Sequence, residues 1–186
     1  FRGFAIKRGH GRVFDSVQAR NPTIDIIDGQ WMAIYRATDL DWRYRMGLAT
    51  SADGIFWEKK GPFTVDGTAE HTNFATMGTI FAGSSGPILM GLSWRNQQGR
   101  IVADFTAYRV DVANMNLQTI FRAPWYARSK YEDKERPTYG YYCSLVHDQL
   151  KNRILFYVSA VDPRPETKKG TWTGVCVREL VYECPL

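Results

Sequence analysis

The sequence predicts an all-β protein: a β-propeller-like array of antiparallel four-stranded sheets, either incomplete or completed by oligomerisation. Three observations predict it. Strand patterns dominate, and almost no segment has helical periodicity. Turn-forming residues punctuate the strands. One order of strand, turn, apolar-aromatic strand, loop and small-residue strand also recurs about every 50 to 65 residues, as blades of a propeller do.

The elements follow in order. Phe4 to Lys7 and Val13-Phe14-Asp15 read as an outer strand ahead of the first unit. Thr23 to Ile27 is then a strand, Asp28-Gly29 a turn, and Trp31 to Arg36 the next strand. A polar loop leads to Arg45 to Thr50. In the turn that follows, Ser51 and Asp53 can bond the turn's own amides, and Gly54 supplies a positive φ. A short strand ends at Trp57, whose ring is expected to be largely buried against Tyr44 to Ala49. The second unit holds Phe74 to Phe81, Ile88 to Trp94, Val102 to Val110 and Leu117 to Phe121. The third holds Tyr141 to Val146, Ile154 to Ala160 and Thr171 to Val181. The expected organisation is one domain, 1–186, with blade-like units at about 21–60, 71–121 and 136–181. Known propellers have about four to eight blades. Three leave open edges that invite association, so the chain either pairs with another copy as a homo-oligomer or is a partial propeller that covers its edges some other way.

Composition narrows the function. The chain has 186 residues, 44% hydrophobic and 14% aromatic, enough for a packed core. Six Trp and ten Tyr either fill layers between sheets or stack on flat ligands such as sugars. The net charge of +5 is scattered. The adjacent lysines, Lys59-Lys60 and Lys168-Lys169, read as loop residues, so specific nucleic-acid binding is not expected. The three cysteines lack C-x-x-C spacing, which argues against a disulfide scaffold or a zinc site. Cys143 and Cys176 read as buried thiols. His10, His71 and His147 share no ligand spacing. No P-loop, G-x-S-x-G or Rossmann pattern occurs, so neither metal nor cofactor is expected. No apolar run approaches the roughly 20 residues of a membrane span. No signal peptide is seen, and the compartment stays open.

The run VFDSVQARNPTIDIIDGQWMAIYRATD followed by RMGLATSADGIFWEKKGP resembles the five-bladed propeller glycosidases. These are the arabinanase and xylosidase group, the invertase and levansucrase group, and the mannoside phosphorylase-like proteins. Asn21-Pro22, Asp28-Gly29-Gln30-Trp31, Tyr35-Arg36-Ala37 and Gly47 to Trp57 match successive steps of a blade in that superfamily. The resemblance implies a carbohydrate-active protein, a glycoside hydrolase or phosphorylase-like protein acting on a glycoside. Asn21 stands where the hydrolases carry Asp, and the phosphorylase-like members share the Asn-Pro step. Non-catalytic carbohydrate binding, or a structural or assembly role, are the alternatives.

Glycoside hydrolysis needs two facing carboxyls, about 5 Å apart for retention and about 6.5 to 9.5 Å for inversion. The opening residues of successive blades can meet at a propeller's axis. In the first unit these are Asp15, Arg20 and Asn21. In the second they are Glu70, His71 and Asn73, and in the third Glu135 and Arg136. Glu70 and Glu135 form the best acid/base pair, unless both are solvated loop carboxylates. Asp25 points opposite to Ile24 and Ile26 and either joins the catalytic set or is a hydrogen-bonded structural residue. Asn21, Arg36, His71, Asn73 and Arg136 are the candidate substrate contacts. Arg36 also reads as a structural clamp, with Asp39 or Asp53 as its carboxylate.

Overall fold

The computed structural model describes residues 6–69, 74–97, 100–124, 143–148, 153–160 and 174–180. It is all-β. Among the described residues there is no helix, and so none long and apolar enough to cross a membrane.

The first sheet has the order β1 (Gln18–Ile27), β2 (Gln30–Thr38), β3 (Tyr44–Ser51), β4 (Glu58–Pro62), all antiparallel. Each connection follows from local chemistry. Asp28 and Gly29 take φ of 50° and 78° between the paired Ile27 and Gln30. This is the two-residue hairpin turn whose twist matches its strands. After β3, the Ser51 hydroxyl accepts the Asp53 and Gly54 amides at 3.3 and 2.9 Å. The Asp53 carboxylate accepts the amides of Ile55 and Phe56 at 2.8 and 2.9 Å and the Ser51 hydroxyl at 3.0 Å. Gly54 has a φ of 73°, as expected of this turn.

The connection is longer than its expected form, running from Ala52 to Trp57 between the end of β3 at Ser51 and the start of β4 at Glu58. The fourth strand begins at Glu58, after Trp57 rather than ending there. Lys59 and Lys60 therefore lie in a strand, not a loop. Trp57 is half-buried rather than largely buried. Its ring packs against the cluster of Ala33, Tyr35, Ala37 and Ala49 while Nε1 donates to the Gly54 carbonyl at 3.1 Å.

The linker out of this sheet becomes part of the next. β5 (Thr64–Val65) runs parallel to β9 (Asn116–Pro124) and makes the second sheet five-stranded, in the order β5-β9-β8-β7-β6. Here β6 is Phe74–Gly83, β7 Gly86–Gln97 and β8 Arg100–Asp111. The join is stitched by side chains. Asp66 accepts both the amide and the hydroxyl of Thr119 at 2.7 Å. Asn116 accepts the Thr64 hydroxyl at 2.8 Å and the Gly67 amide at 3.0 Å. The third sheet has the order β10 (Cys143–Asp148), β11 (Arg153–Ala160), β12 (Gly174–Leu180). Cys143 and Cys176 both pair with Val158 of the middle strand. Two strand spacings, about 9.5 Å, separate them, beyond the reach of a disulfide.

Strand alternation sorts the core. Met32 and Ile34 of β2 and Met46 and Leu48 of β3 share one face. They pack with Ile80, Leu89, Tyr108, Val110 and Leu117 of the second sheet. Phe81, Ile88, Met90, Phe105 and Ala107 form a separate apolar cluster in the second sheet, with Phe121 packed against it. The opposite face of β2 and β3 presents Ala33, Tyr35, Ala37 and Ala49. It is covered by Ile6 and Phe14 of the N-terminal segment and by Trp57. Gly47 is required here, because a Cβ would meet the Tyr35 ring at 2.6 Å and the Phe14 ring at 2.8 Å.

Residues 6–17 are thus a strap across a sheet face. Neither Ile6-Lys7 nor Val13 to Asp15 is a strand; Phe4 and Ala5 lie outside the described residues. Asp15 was expected to face the axis but is instead the strap's pin, with its side chain 0% exposed. It accepts Lys59 Nζ at 2.7 Å, the Tyr35 hydroxyl at 3.2 Å and the Gly9 amide at 3.1 Å. Burial, and then the adjacent Asp15 charge, push the Tyr35 phenol well above its ordinary value, so it remains a donor.

Two predictions follow from this packing. Lys59→Met leaves a buried carboxylate without its cation, a change worth about 3–5 kcal/mol for fully buried pairs. Lys59 is 30% exposed, so urea unfolding should show a loss near the lower end. Asp15→Asn added to it should restore part of that loss. The second concerns acid. The amides of Phe56 and Ile55, then the Ser51 hydroxyl, hold the Asp53 carboxyl below its ordinary value. Its contribution is therefore present above the ordinary aspartate pKa of about 3.9 and fades as pH falls through the lower folded value. Asp53→Asn should lower the unfolding midpoint most at neutral pH, and the gap to wild type should narrow below about pH 4.

Candidate functional site

β1, the edge strand that begins the first sheet, opens with a distortion. Arg20 pairs with Arg36 and Thr23 with Ile34, so Asn21 and Pro22 together stand opposite Tyr35. Two residues against one is a β-bulge, a device that re-aims side chains. Proline accounts for part of it, since Pro22 has no amide for the ladder. Asn21 accounts for the rest, with a φ of 52° in the left-handed region that Asn tolerates better than most residues. A residue before proline normally avoids that region, so the backbone is strained where the sequence places a substrate contact. Asn21 and Pro22 are both exposed.

Across the ladder, Arg36 is half-buried. Its guanidinium carbon lies 4.3 Å from the centroid of the Tyr44 ring. The expected clamp by Asp39 or Asp53 does not form. Asp39 accepts the Asp41 and Arg43 amides at 2.9 and 3.0 Å, and Asp53 holds its own turn. Burial, and then the Arg20 cation paired opposite, lower the Arg36 pKa, while Tyr44 acts the other way. An aromatic face stabilises a guanidinium without neutralising it. Tyr44 was not anticipated as the partner; its position opposite Thr38, beside Arg36, was the available signal.

Asp25 lies further along β1, exposed and paired with Met32. Its carboxylate accepts the Ile26 amide at 2.8 Å. Four residues of strand, roughly 13 Å at about 3.3 Å each, separate it from Asn21, so the two do not meet on one sugar ring. Glu70, Glu135, His71, Asn73 and Arg136 lie outside the described residues. Among the described residues no three His, Cys, Asp or Glu gather as a metal-ligand set.

No protein-family model matches the chain, and no curated protein matches it. Solved structures do. The chain is similar to sucrose-6-phosphate hydrolase from Lactobacillus gasseri, with a TM-score of 0.61 and 13% identity over 95% of this chain and 36% of that one. It is similar to a thermostable family-43 glycoside hydrolase, with a TM-score of 0.52 and 13% identity over 79% of this chain and 47% of that one. An α-L-arabinofuranosidase from Lactobacillus brevis gives a TM-score of 0.50 and 15% identity over 89% and 56%. The fold is that of the β-propeller glycoside hydrolases, here as three successive, mainly antiparallel sheets that do not close a ring among the described residues. The chain spans about a third to just over half the length of these structures.

The paired arginines generate a test. Like charges opposite each other across a ladder are destabilising. Arg20 is exposed, so solvent screens the effect. Arg20→Gln should raise stability by about 0.3 kcal/mol at low salt, and the gain should vanish at high salt. Denaturant midpoints at two ionic strengths read it.

Proposed function

We propose that this is a carbohydrate-active protein, a glycoside hydrolase or phosphorylase-like protein that acts on a glycoside. The observation that carries the reading is the match of 95% of the chain to a solved sucrose-6-phosphate hydrolase at a TM-score of 0.61. The strained Asn21-Pro22 bulge at the mouth of β1 supports it. In this reading 1–186 is a single propeller-like domain with units at about 21–60, 71–121 and 136–181, and a second copy is one way to complete the ring.

Glu70 and Glu135 are the proposed acid/base pair, with Asp25 as a third carboxylate. Asn21, Arg36, His71, Asn73 and Arg136 are the proposed substrate contacts. One carboxyl is protonated to assist the leaving group, and the other is ionised to activate the attacking oxygen. Asn21 cannot serve either role, and its amide suits a hydrogen bond to a sugar hydroxyl.

One observation favours the alternative, a carbohydrate-binding protein without turnover. The described mouth offers an amide, guanidiniums and a phenol, while the carboxylate of Asp25 is turned to its own strand.

The test is a panel of furanosides, pyranosides and sugar phosphates. Glu70→Gln and Glu135→Gln should each reduce turnover by about 10²–10⁴ with the circular dichroism unchanged. Wild-type turnover that survives both substitutions would sink the assignment of the pair. Binding of panel sugars with no turnover by the wild type would make the binding reading the better one.

A further inference from the structure

A cleft of about 330 Å³ opens on the strap side of the first sheet. Arg12, Val13 and Phe14 of the strap form one wall. Asp39, Leu40, Asp41 and Arg43 of the β2–β3 loop form another, and Arg45 of β3 lies between them. This volume is at the small end of the range for ligand sites, about 300–1,000 Å³. Strand alternation puts Arg45 on the face of Ala49, opposite to Met46 and Leu48. It is therefore across the sheet from the Arg36–Tyr44 stack, which belongs to the candidate sugar site.

The charges in this cleft are not balanced within it. Three guanidiniums face two carboxylates, and both carboxylates are engaged. Asp39 accepts the Asp41 and Arg43 amides and so closes its own loop. Asp41 lies 3.7 Å from Arg43 as an exposed pair. Arg12 and Arg45 make no ion pair with any described residue. The Nε atom of Arg45 is buried and has no hydrogen-bond acceptor among the described residues. A buried charged donor left unmet is costly, and proteins seldom retain one without a use.

We propose that this cleft binds the oxyanion end of a small molecule, a phosphate or a carboxylate group. Guanidiniums present their N–H groups as a planar fork, which matches both groups. The half-buried Arg45 guanidinium is the fixed cation of the cleft, and Arg12 closes over the anion from the strap. Phe14 and Leu40 add apolar surface for the body of the molecule. The site is built from the strap and one hairpin, so it does not depend on the glycoside reading or on the residues proposed for it.

Titration with inorganic phosphate, glucuronate and neutral glucose tests this, by calorimetry and by the Arg45 Nε–Hε resonance. Binding of phosphate or glucuronate with movement of that resonance is expected, and the stronger of the two identifies the source of the oxyanion. Arg45→Gln should weaken binding by about ten- to a hundredfold, as for a lost charge-assisted hydrogen bond. Arg12→Gln, at an exposed position, should also weaken binding, and it keeps the test alive if Arg45→Gln fails to fold. Lys60→Gln removes the same charge outside the cleft and should leave affinity unchanged. The proposal is overturned if neither anion binds at tens of millimolar, or if glucose binds equally well. It is equally overturned if Lys60→Gln weakens binding as much as the arginine variants do.

Discussion

A sheet that is apolar on both faces must be covered on both, and this constraint governs the described part of the molecule. In β2 and β3 the alternation is not apolar against polar. It is large against small: Met32, Ile34, Met46 and Leu48 on one side, Ala33, Ala37, Gly47 and Ala49 on the other, with Tyr35 among the small residues. The large side meets the second sheet. The small side leaves room for a layer thinner than a sheet, and the strap fills it with Ile6 and Phe14. The Phe14 and Tyr35 ring centroids lie 6.2 Å apart, within the usual range for paired aromatic rings. A strap has no ladder to hold it, so its hold rests on Asp15, a charge buried with Lys59 and Tyr35. Coverage stops short of the edge strand β1, where Ile24 and Ile26 remain 45% and 50% exposed.

The hairpins were legible because their determinants are local. Asp28-Gly29 and Ser51-Ala52-Asp53-Gly54 carry the turn chemistry in adjacent residues, and the structure realises both. Strand pattern likewise located β2, β3 and the antiparallel strands of the second sheet. What the sequence concealed depends on distant partners. Lys59 and Lys60 resemble loop residues, because a strand with a lysine on each face has no apolar period to reveal it. Thr64-Val65 is too short to show a pattern, and it is a strand because β9 lies beside it. Asp15 looked like an axial carboxylate by its place ahead of the first blade. Its role depends on Lys59, 44 residues away, and no reading of nearby residues supplies that pair.

The candidate site divides the same way. The Asn-Pro step was visible, and the bulge it forces is local backbone chemistry. The partner of Arg36 was not, because a search for carboxylates overlooks a ring. A guanidinium laid on Tyr44 keeps its charge, so the ring takes the place that a carboxylate was expected to hold.

Arginines thus appear on both faces of one sheet end, under different controls. Arg36 is held by the Tyr44 ring of β3 and opposed by Arg20 of β1. Arg45 is completed only where the strap brings Arg12 and Phe14 over it. The buried Asp15–Lys59 contact that seals the small face also sets the position of that wall. Loosening the pin would therefore disturb the cleft before the mouth of β1, because the bulge at Asn21 is held by its ladder with β2 and not by the strap. Stability and the proposed anion cleft share one contact, while the face that carries Arg36 and Tyr44 is separated from it by the strands between them.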